Sequence, residues 1–375
     1  MRTVDAAGLK IGDDHPPRIM GVLNVSQESP YKPSVFDDAG EAAAYVDEEL
    51  IGEGADIVDV GLESANKRFE VLSAEEELDR LDTAVETMHS TSGDAVWSIE
   101  TRYHEVAEAA LDAGYDMVND ICGFADPKMP EVCSEYDVAV GKMASPPDLT
   151  RPGAIEDVED IYDALSMNGF TEKTILDPAF GGWSEEKTVE DDRETFHRLR
   201  EFRGYGRPLL VSINRKNFLR SIAGRETEDA LPVSLAATSM AVERGAHVIR
   251  THDVEETRDA ALVGGEFSRE RLTAEELGVE ELDVTSDREF TRHLSRVTGS
   301  SEEASSVVTH TIEFDLPERA ESYLARRGKL EAVRVFEGET LLVVGTASAF
   351  HSLRDAVAGG PEAVRIAVES VCEKL

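Results

Sequence analysis

Residues 209–218 read LLVSINRKNF, an apolar run that ends in an amide and two cations, Asn214, Arg215 and Lys216. Two cations at the mouth of a buried strand suit an anion, since arginine offers a planar fork of donors and lysine a compact point charge. Taken alone, the stretch reads more simply as a solvated loop at a strand end. It gains weight because other apolar runs end in the same way. Asn24 closes RIMGVLN, Glu63 and Ser64 follow DIVDVGL, and Glu100 and Thr101 follow AVWSI. Asn119 and Asp120 stand in YDMVNDI, Met143 follows VAVGK, Asp177 closes KTILD, and Arg250, His252 and Asp253 end HVIRTHD.

These residues divide by chemistry. Glu100, Asn119, Asp177 and Lys216 form a band of acids, amide and ammonium. Such a band reads a flat heterocycle with several N–H donors and one carbonyl: carboxylates accept from ring NH and exocyclic NH₂, while lysine donates to the carbonyl and ring nitrogen. Arg250 and His252 are two apart on one strand and share a side. With Asn24 they suit a phosphate or pyrophosphate, held directly or through a divalent metal. Mg²⁺ takes few protein ligands, so one amide oxygen is enough. Each residue also has an ordinary reading. Asn119-Asp120 caps a helix, Asp177 before Pro178 forms a turn, His252 is a satisfied buried histidine and Met143 packs. Only their joint position carries the argument.

That joint position depends on the elements behind them. Apolar strand-like runs lie at residues 18–25, 56–61, 95–99, 115–121, 138–142, 173–177, 209–213 and 247–251. Helical patterns follow each of them, the second opening at Ser73 with Glu76 three residues on, a capping box. The strands are short and apolar on both sides, as buried parallel strands are. Eight strand-helix units by residue 265 predict an α/β fold of the (β/α)₈ TIM-barrel type, with the site at the C-terminal ends of the strands. A doubly wound sheet would present a glycine-rich turn after its first strand, and LNVSQESPY is not one. Residues 1–17 read as a polar leader. The domains are therefore expected at 1–265, the barrel, and 266–375. The latter reads as a charged linker with short helices up to about residue 306, then a small α+β domain. No catalytic motif stands in that second part.

Composition narrows the class. The chain has 375 residues, 77 acidic against 38 basic, and a formal net charge of -39. Such a field repels polyanions, which argues against a nucleic-acid or anionic-membrane partner. With 41% hydrophobic residues in periodic runs, disorder does not account for the acidity. A solvated surface suited to high salt does. Cys122, Cys133 and Cys372 form no CxxC and no zinc spacing, which fits a reducing cytoplasm. No apolar run reaches membrane-spanning length.

Seven motifs in order, IMGVLNVSQES, GADIVDVGLES, WSIET, MVNDICG, DPAFGG, INRKNF and IRTHDV, resemble those of dihydropteroate synthases and the wider pterin-binding barrel enzymes. The resemblance covers about residues 18–264. It implies transfer of a dihydropterin from 6-hydroxymethyl-7,8-dihydropterin pyrophosphate to p-aminobenzoate or a related aryl amine, with Mg²⁺ as cofactor and a homodimer. It implies Asp177, Lys216, Arg250 and His252 as catalytic residues. It further implies Glu100, Asn119, Asp177, Lys216 and Met143 around the pterin, and Asn24, Arg250 and His252 on the pyrophosphate, with Asn24 holding the metal.

The departures cluster where the amine should sit. The family pattern has Asp at Glu100, Thr-Arg-Pro at Ala65-Asn66-Lys67 and Ser at Asn217. It has Asp-Ser-Phe where this chain reads Glu28-Ser29-Pro30-Tyr31. The wording of the first loop is closer to archaeal-type, methanopterin-linked relatives. Ser64, Lys67, Arg68 and Asn217 are the candidates for holding the amine. The rival expectations are a pterin-dependent methyltransferase, which needs no pyrophosphate grip, and a non-catalytic pterin-binding protein.

Overall fold

The computed structural model describes residues 1–375 except 27, 30, 65–70, 147, 150–154, 182–186, 270, 272, 275–278, 300–307, 315, 328–332, 338–340 and 374–375. It divides into two compact units, Met1–Glu281 and Leu282–Leu375.

The first unit is a barrel of eight parallel strands: β1 Arg18–Asn24, β2 Ile57–Gly61, β3 Val96–Thr101, β4 Met117–Asp120, β5 Ala139–Met143, β6 Thr174–Asp177, β7 Leu210–Val211 and β8 Val248–Thr251. They pair in the order β6-β5-β4-β3-β2-β1-β8-β7. A single parallel bridge, Leu176 to Leu209, and the Leu176 N–H donated to the Pro208 carbonyl at 2.9 Å join β6 to β7. The strands are apolar on both faces because helices cover the outside and the barrel fills its own inside. The covering helices are α1 Ala39–Tyr45, α2 Ala74–Ser90, α3 His104–Asp112, α4 Met129–Glu135, α5 Val158–Ser166, α6 Val189–His197, α7 Leu231–Glu243 and α8 Val254–Glu266, and a further short helix, Asn217–Ala223, starts directly after Lys216. Ser73 and Glu76 cap α2 reciprocally, as their spacing predicts.

Alternation along the strands sorts the barrel interior into layers. The bottom layer takes one residue from each strand: Met20, Ile57, Val96, Met117, Ala139, Ile175, Leu210 and Val248. Residues 1–17 are not a leader. Val4–Ala6 and Leu9–Ile11 form an antiparallel hairpin whose buried Val4, Ala6 and Ile11 join that layer and plug the barrel floor. The polar residues between them, which made the stretch look solvated, face outward or bind locally, as Asp5 does to Lys10.

Just past the plug, Asp13 accepts from His247 Nε2 at 2.9 Å and pairs with Arg203 and Arg271 at 3.4 and 3.3 Å. These contacts draw the chain beyond α8 back under the barrel, so this unit ends after residue 265, at Glu281. Another buried cation sits outside β5. Lys142 donates to the carbonyls of Leu165, Met167 and Gly169 and so closes the C-terminal end of α5.

The second unit pairs Thr309–Phe314, Leu341–Thr346 and Val333–Glu337 into an antiparallel sheet with Leu341–Thr346 in the middle. Helices Glu318–Arg327, Ala347–Val357 and Glu362–Cys372 supply Leu324, Phe350, Leu353, Val364 and Val368 to its core. A further helix, Asp287–Thr298, stands in the stretch read as a charged linker with short helices. Among the described residues, no helix is long and apolar enough to cross a membrane. The three cysteines are free and buried.

Candidate active site

Above the apolar floor the interior layer turns polar. Asp59 on β2, fully buried, accepts from Ser98 Oγ at 2.7 Å, Asn119 Nδ2 at 3.0 Å and Arg250 Nε at 2.7 Å. Arg250 then donates through Nη2 to Glu100 at 2.6 Å. One buried carboxylate thus fixes the amide of Asn119 and the guanidinium of Arg250. A carboxylate out of water is stable only with such donors. Asp59 had no strand-end position to mark it. The signal was the acidic residue inside the apolar run IVDVG, two residues before the end and on the inward face.

Small residues make the room in this layer. A Cβ on Gly141 would lie 2.9 Å from Asn119 Oδ1, and one on Gly61 would lie 3.3 Å from Asn24 Oδ1. Asn24 donates through Nδ2 to Ser34 Oγ at 2.9 Å, which fixes the amide. Its Oδ1 therefore turns inward over Gly61, beside Glu100. An acceptor oxygen held in that direction is the donor a hard divalent cation takes when phosphate and water supply the rest.

Across the mouth stand Asp177 and Lys216. Asp177 accepts from the Ala179 N–H at 2.7 Å, and burial pushes its carboxyl up to about 6 against the pull of Lys216, Arg250 and Lys187. Burial lowers the Lys216 ammonium. The Lys216 side chain crosses Gly181, whose φ of +106° and missing Cβ are both required, since a Cβ there would lie 2.7 Å from Lys216 Cδ. Lys187, buried and 3.3 Å from Asp192, is a further cation near Asp177 that sequence reading passed over. Met143, nearly inaccessible, pairs in register with Asp177 on the inward side of β5.

His252 follows Arg250 on the same side. Its Nδ1 is buried and has no hydrogen-bond partner among the described residues, and burial and the Arg250 charge depress the imidazole to about 3, so the ring is neutral. Glu100, Asn119, Asp177, Lys216, Arg250, His252, Asn24 and Met143 are therefore brought to one end of the barrel.

Others are not. Asn214 and Arg215, which looked like part of an anion grip, bind Asp253 instead. Arg215 donates to its two oxygens at 2.8 Å each, gives Nη1 to the carbonyls of Thr227 and Glu228, and holds a left-handed φ of 52°. Asn214 Nδ2 also donates to Asp253, at 2.8 Å. Asp120 faces outward and accepts from the N–H groups of Cys122 and Phe124, the ordinary turn role. Asn217 is exposed and its side-chain oxygen accepts from Arg220. Ser64 is buried and gives its backbone N–H to Glu28. Lys67 and Arg68 lie outside the described residues.

The sequence profile of the "Pterin binding enzyme" family matches residues 20–252. A probable bifunctional folylpolyglutamate synthase/dihydropteroate synthase of Haloferax volcanii is 34% identical over 65% of this chain, a match that spans only 30% of that protein. The dihydropteroate synthase of Escherichia coli is 31% identical over 69% of this chain and 94% of its own length. A solved dihydropteroate synthase of Coxiella burnetii in complex with pteroic acid superposes with a TM-score of 0.59, at 28% identity, over 70% of this chain and 98% of its own. The family profile covers the strands that carry the Asp59 network and ends before the small second unit. This chain belongs to the dihydropteroate synthase family of pterin binding enzymes.

Proposed function

We propose that the barrel mouth condenses 6-hydroxymethyl-7,8-dihydropterin pyrophosphate with an aryl amine, p-aminobenzoate or a relative of it, and releases pyrophosphate. The observation that carries this reading is the Asp59 network, which ties Asn119 and Arg250, and through Arg250 also Glu100, into one hydrogen-bonded set that shares the barrel mouth with Asp177 and Lys216. Asp177 and Asn119 would take the N–H donors of the pterin, Lys216 its carbonyl and ring nitrogen, and Met143 would lie against its ring. Arg250 and the neutral His252 would stabilise charge on the departing pyrophosphate. As the C–O bond to pyrophosphate breaks, the cationic methylene is stabilised by the acids, chiefly Asp177. The amine nitrogen then forms the C–N bond and loses a proton. Asn24 would hold Mg²⁺, which when bound neutralises pyrophosphate oxygens.

The amine site would be completed by Ser64, Lys67, Arg68 and Asn217. A homodimer would bury the apolar side chains that α7 and α8 leave exposed, Met240, Leu262 and Val263, with Phe267 just beyond. The expected setting is cytoplasmic, and the acidic surface suits high salt.

The test is product analysis by mass spectrometry with pterin pyrophosphate and a panel of aryl amines. A pterin–aryl amine adduct with release of pyrophosphate is expected. Pterin binding with no adduct from any amine would favour a binding protein instead.

A further inference from the structure

The first loop, residues 25–37, carries a ring contact that the reaction above does not use. Tyr31 packs on His252 with ring centroids 4.4 Å apart and planes inclined at 32°. The loop is held in three further places. Asn24 reaches Ser34. Val35 bridges Asn24 in parallel, with the Phe36 N–H on the Asn24 carbonyl at 3.0 Å. Glu28 takes Arg80 at 2.7 Å, and the same guanidinium nitrogen donates to the Leu62 carbonyl. Among the described residues, none donates to or accepts from His252 Nδ1, so no hydrogen bond at that atom sets the plane of its imidazole. The neighbouring Asp253 is taken up by Arg215 and Asn214. The ring that packs against His252, tilted to it, is Tyr31, from a stretch where this chain departs from the family pattern.

We propose that Tyr31 is a positioning residue for His252: its ring fixes the imidazole so that the free nitrogen meets the pyrophosphate end of the substrate. The assignment rests on the reading of His252 as a pyrophosphate contact. An aromatic pair restricts rotation about the second side-chain torsion without claiming a ring nitrogen, which leaves Nδ1 to donate to the ligand in the tautomer that carries its proton there. It also couples the first loop to the end of β8, so that the wall over the leaving group is built from two elements distant in sequence.

The experiment compares wild type, Tyr31→Phe, Tyr31→Ala, His252→Ala and the Tyr31→Ala/His252→Ala double variant. Binding of inorganic pyrophosphate is followed by calorimetry, alongside KM for pterin pyrophosphate and for the amine. Tyr31→Ala is expected to weaken pyrophosphate binding and raise the pterin pyrophosphate KM by about three- to tenfold. Amine KM should not change, and Tyr31→Phe should match wild type. In the His252→Ala background, Tyr31→Ala should add nothing. Equal binding by Tyr31→Ala and wild type overturns the proposal. So does a Tyr31→Phe variant as weak as Tyr31→Ala, because the hydroxyl rather than the ring would then act, and so does an undiminished Tyr31→Ala effect without His252. Wild type that binds no pyrophosphate shows instead that the underlying reading of His252 fails, and the proposal falls with it. Thermal unfolding of each variant separates a misfolded loop from a misplaced ring.

Discussion

Arg250 Nε donates to Asp59 Oδ2 at 2.7 Å, from the last barrel strand to the second, across the interior of the barrel. Asp59→Asn keeps the shape and removes the charge. A hydrogen bond to a charged group contributes about 1.5–3 kcal/mol, so kcat/KM for pterin pyrophosphate should fall roughly ten- to a hundredfold. Steady-state kinetics decide it; an unchanged kcat/KM would show that Arg250 needs only Glu100.

Burial holds the Asp177 carboxyl up to about 6. In the proposed function the ionised form would accept from the pterin, so pterin affinity should decline as pH drops through 6, and Asp177→Asn should weaken binding and flatten that profile. The sign for stability is opposite. A carboxyl whose folded pKa lies above its unfolded value of 3.8 favours the folded state least once ionised. Wild type should therefore lose stability relative to Asp177→Asn as pH rises from about 4 to about 6. Calorimetric titrations of a pterin between pH 5 and 8 test the first half, and a wild-type affinity flat over that range would sink it.

The hairpin plug predicts a stability effect without a kinetic one. Ile11 is fully buried in the floor layer, at the end of the barrel away from Asp177 and Lys216. Ile11→Ala should cost about 2–5 kcal/mol, read as a lower midpoint in denaturant, with KM for both substrates unchanged. A variant as stable as wild type would mean the hairpin closes nothing.

Asp13 should matter more than its place in a polar N-terminal stretch suggests. Asp13→Ala strands Arg203, Arg271 and His247 with little solvent, and removing one partner of a buried charged cluster costs about 3–5 kcal/mol. His247 and Arg203 hold its carboxyl well below the usual range. That contribution is present above the unfolded pKa of about 3.8 and is lost as pH falls below it. Acid unfolding of wild type and Asp13→Ala should therefore converge at low pH; a constant gap would refute the linkage.

Much of the barrel was legible because each strand is an apolar run and several end in a residue that an apolar run has no reason to contain. Asn24, Glu100, Asn119, Asp177 and Arg250 were found that way. Asp59 was missed because it sits within its run, and only the inward layer makes its burial intelligible. Arg215 misled for the opposite reason. A cation at a strand end is visible in sequence, but its left-handed backbone and its partner Asp253, 38 residues on, are tertiary facts. The plug escaped because its strands are three residues each and its apolar positions are too few to show a period. The helices at 318–327 and 347–357 were likewise passed over, the first because charged residues crowd its single buried stripe.

The join between β6 and β7 has a consequence for motion. Seven of the eight strand neighbours share a ladder, whereas these two meet at one bridge, and β7 is two residues long. Asp177 closes one side of that join and Lys216 lies beyond the other. A bicyclic ligand held by both would tie the two edges together. Amide hydrogen exchange should therefore be fastest among the barrel strands at Leu176 and Leu210, and bound pterin should slow it there more than at the opposite wall, β2 and β3.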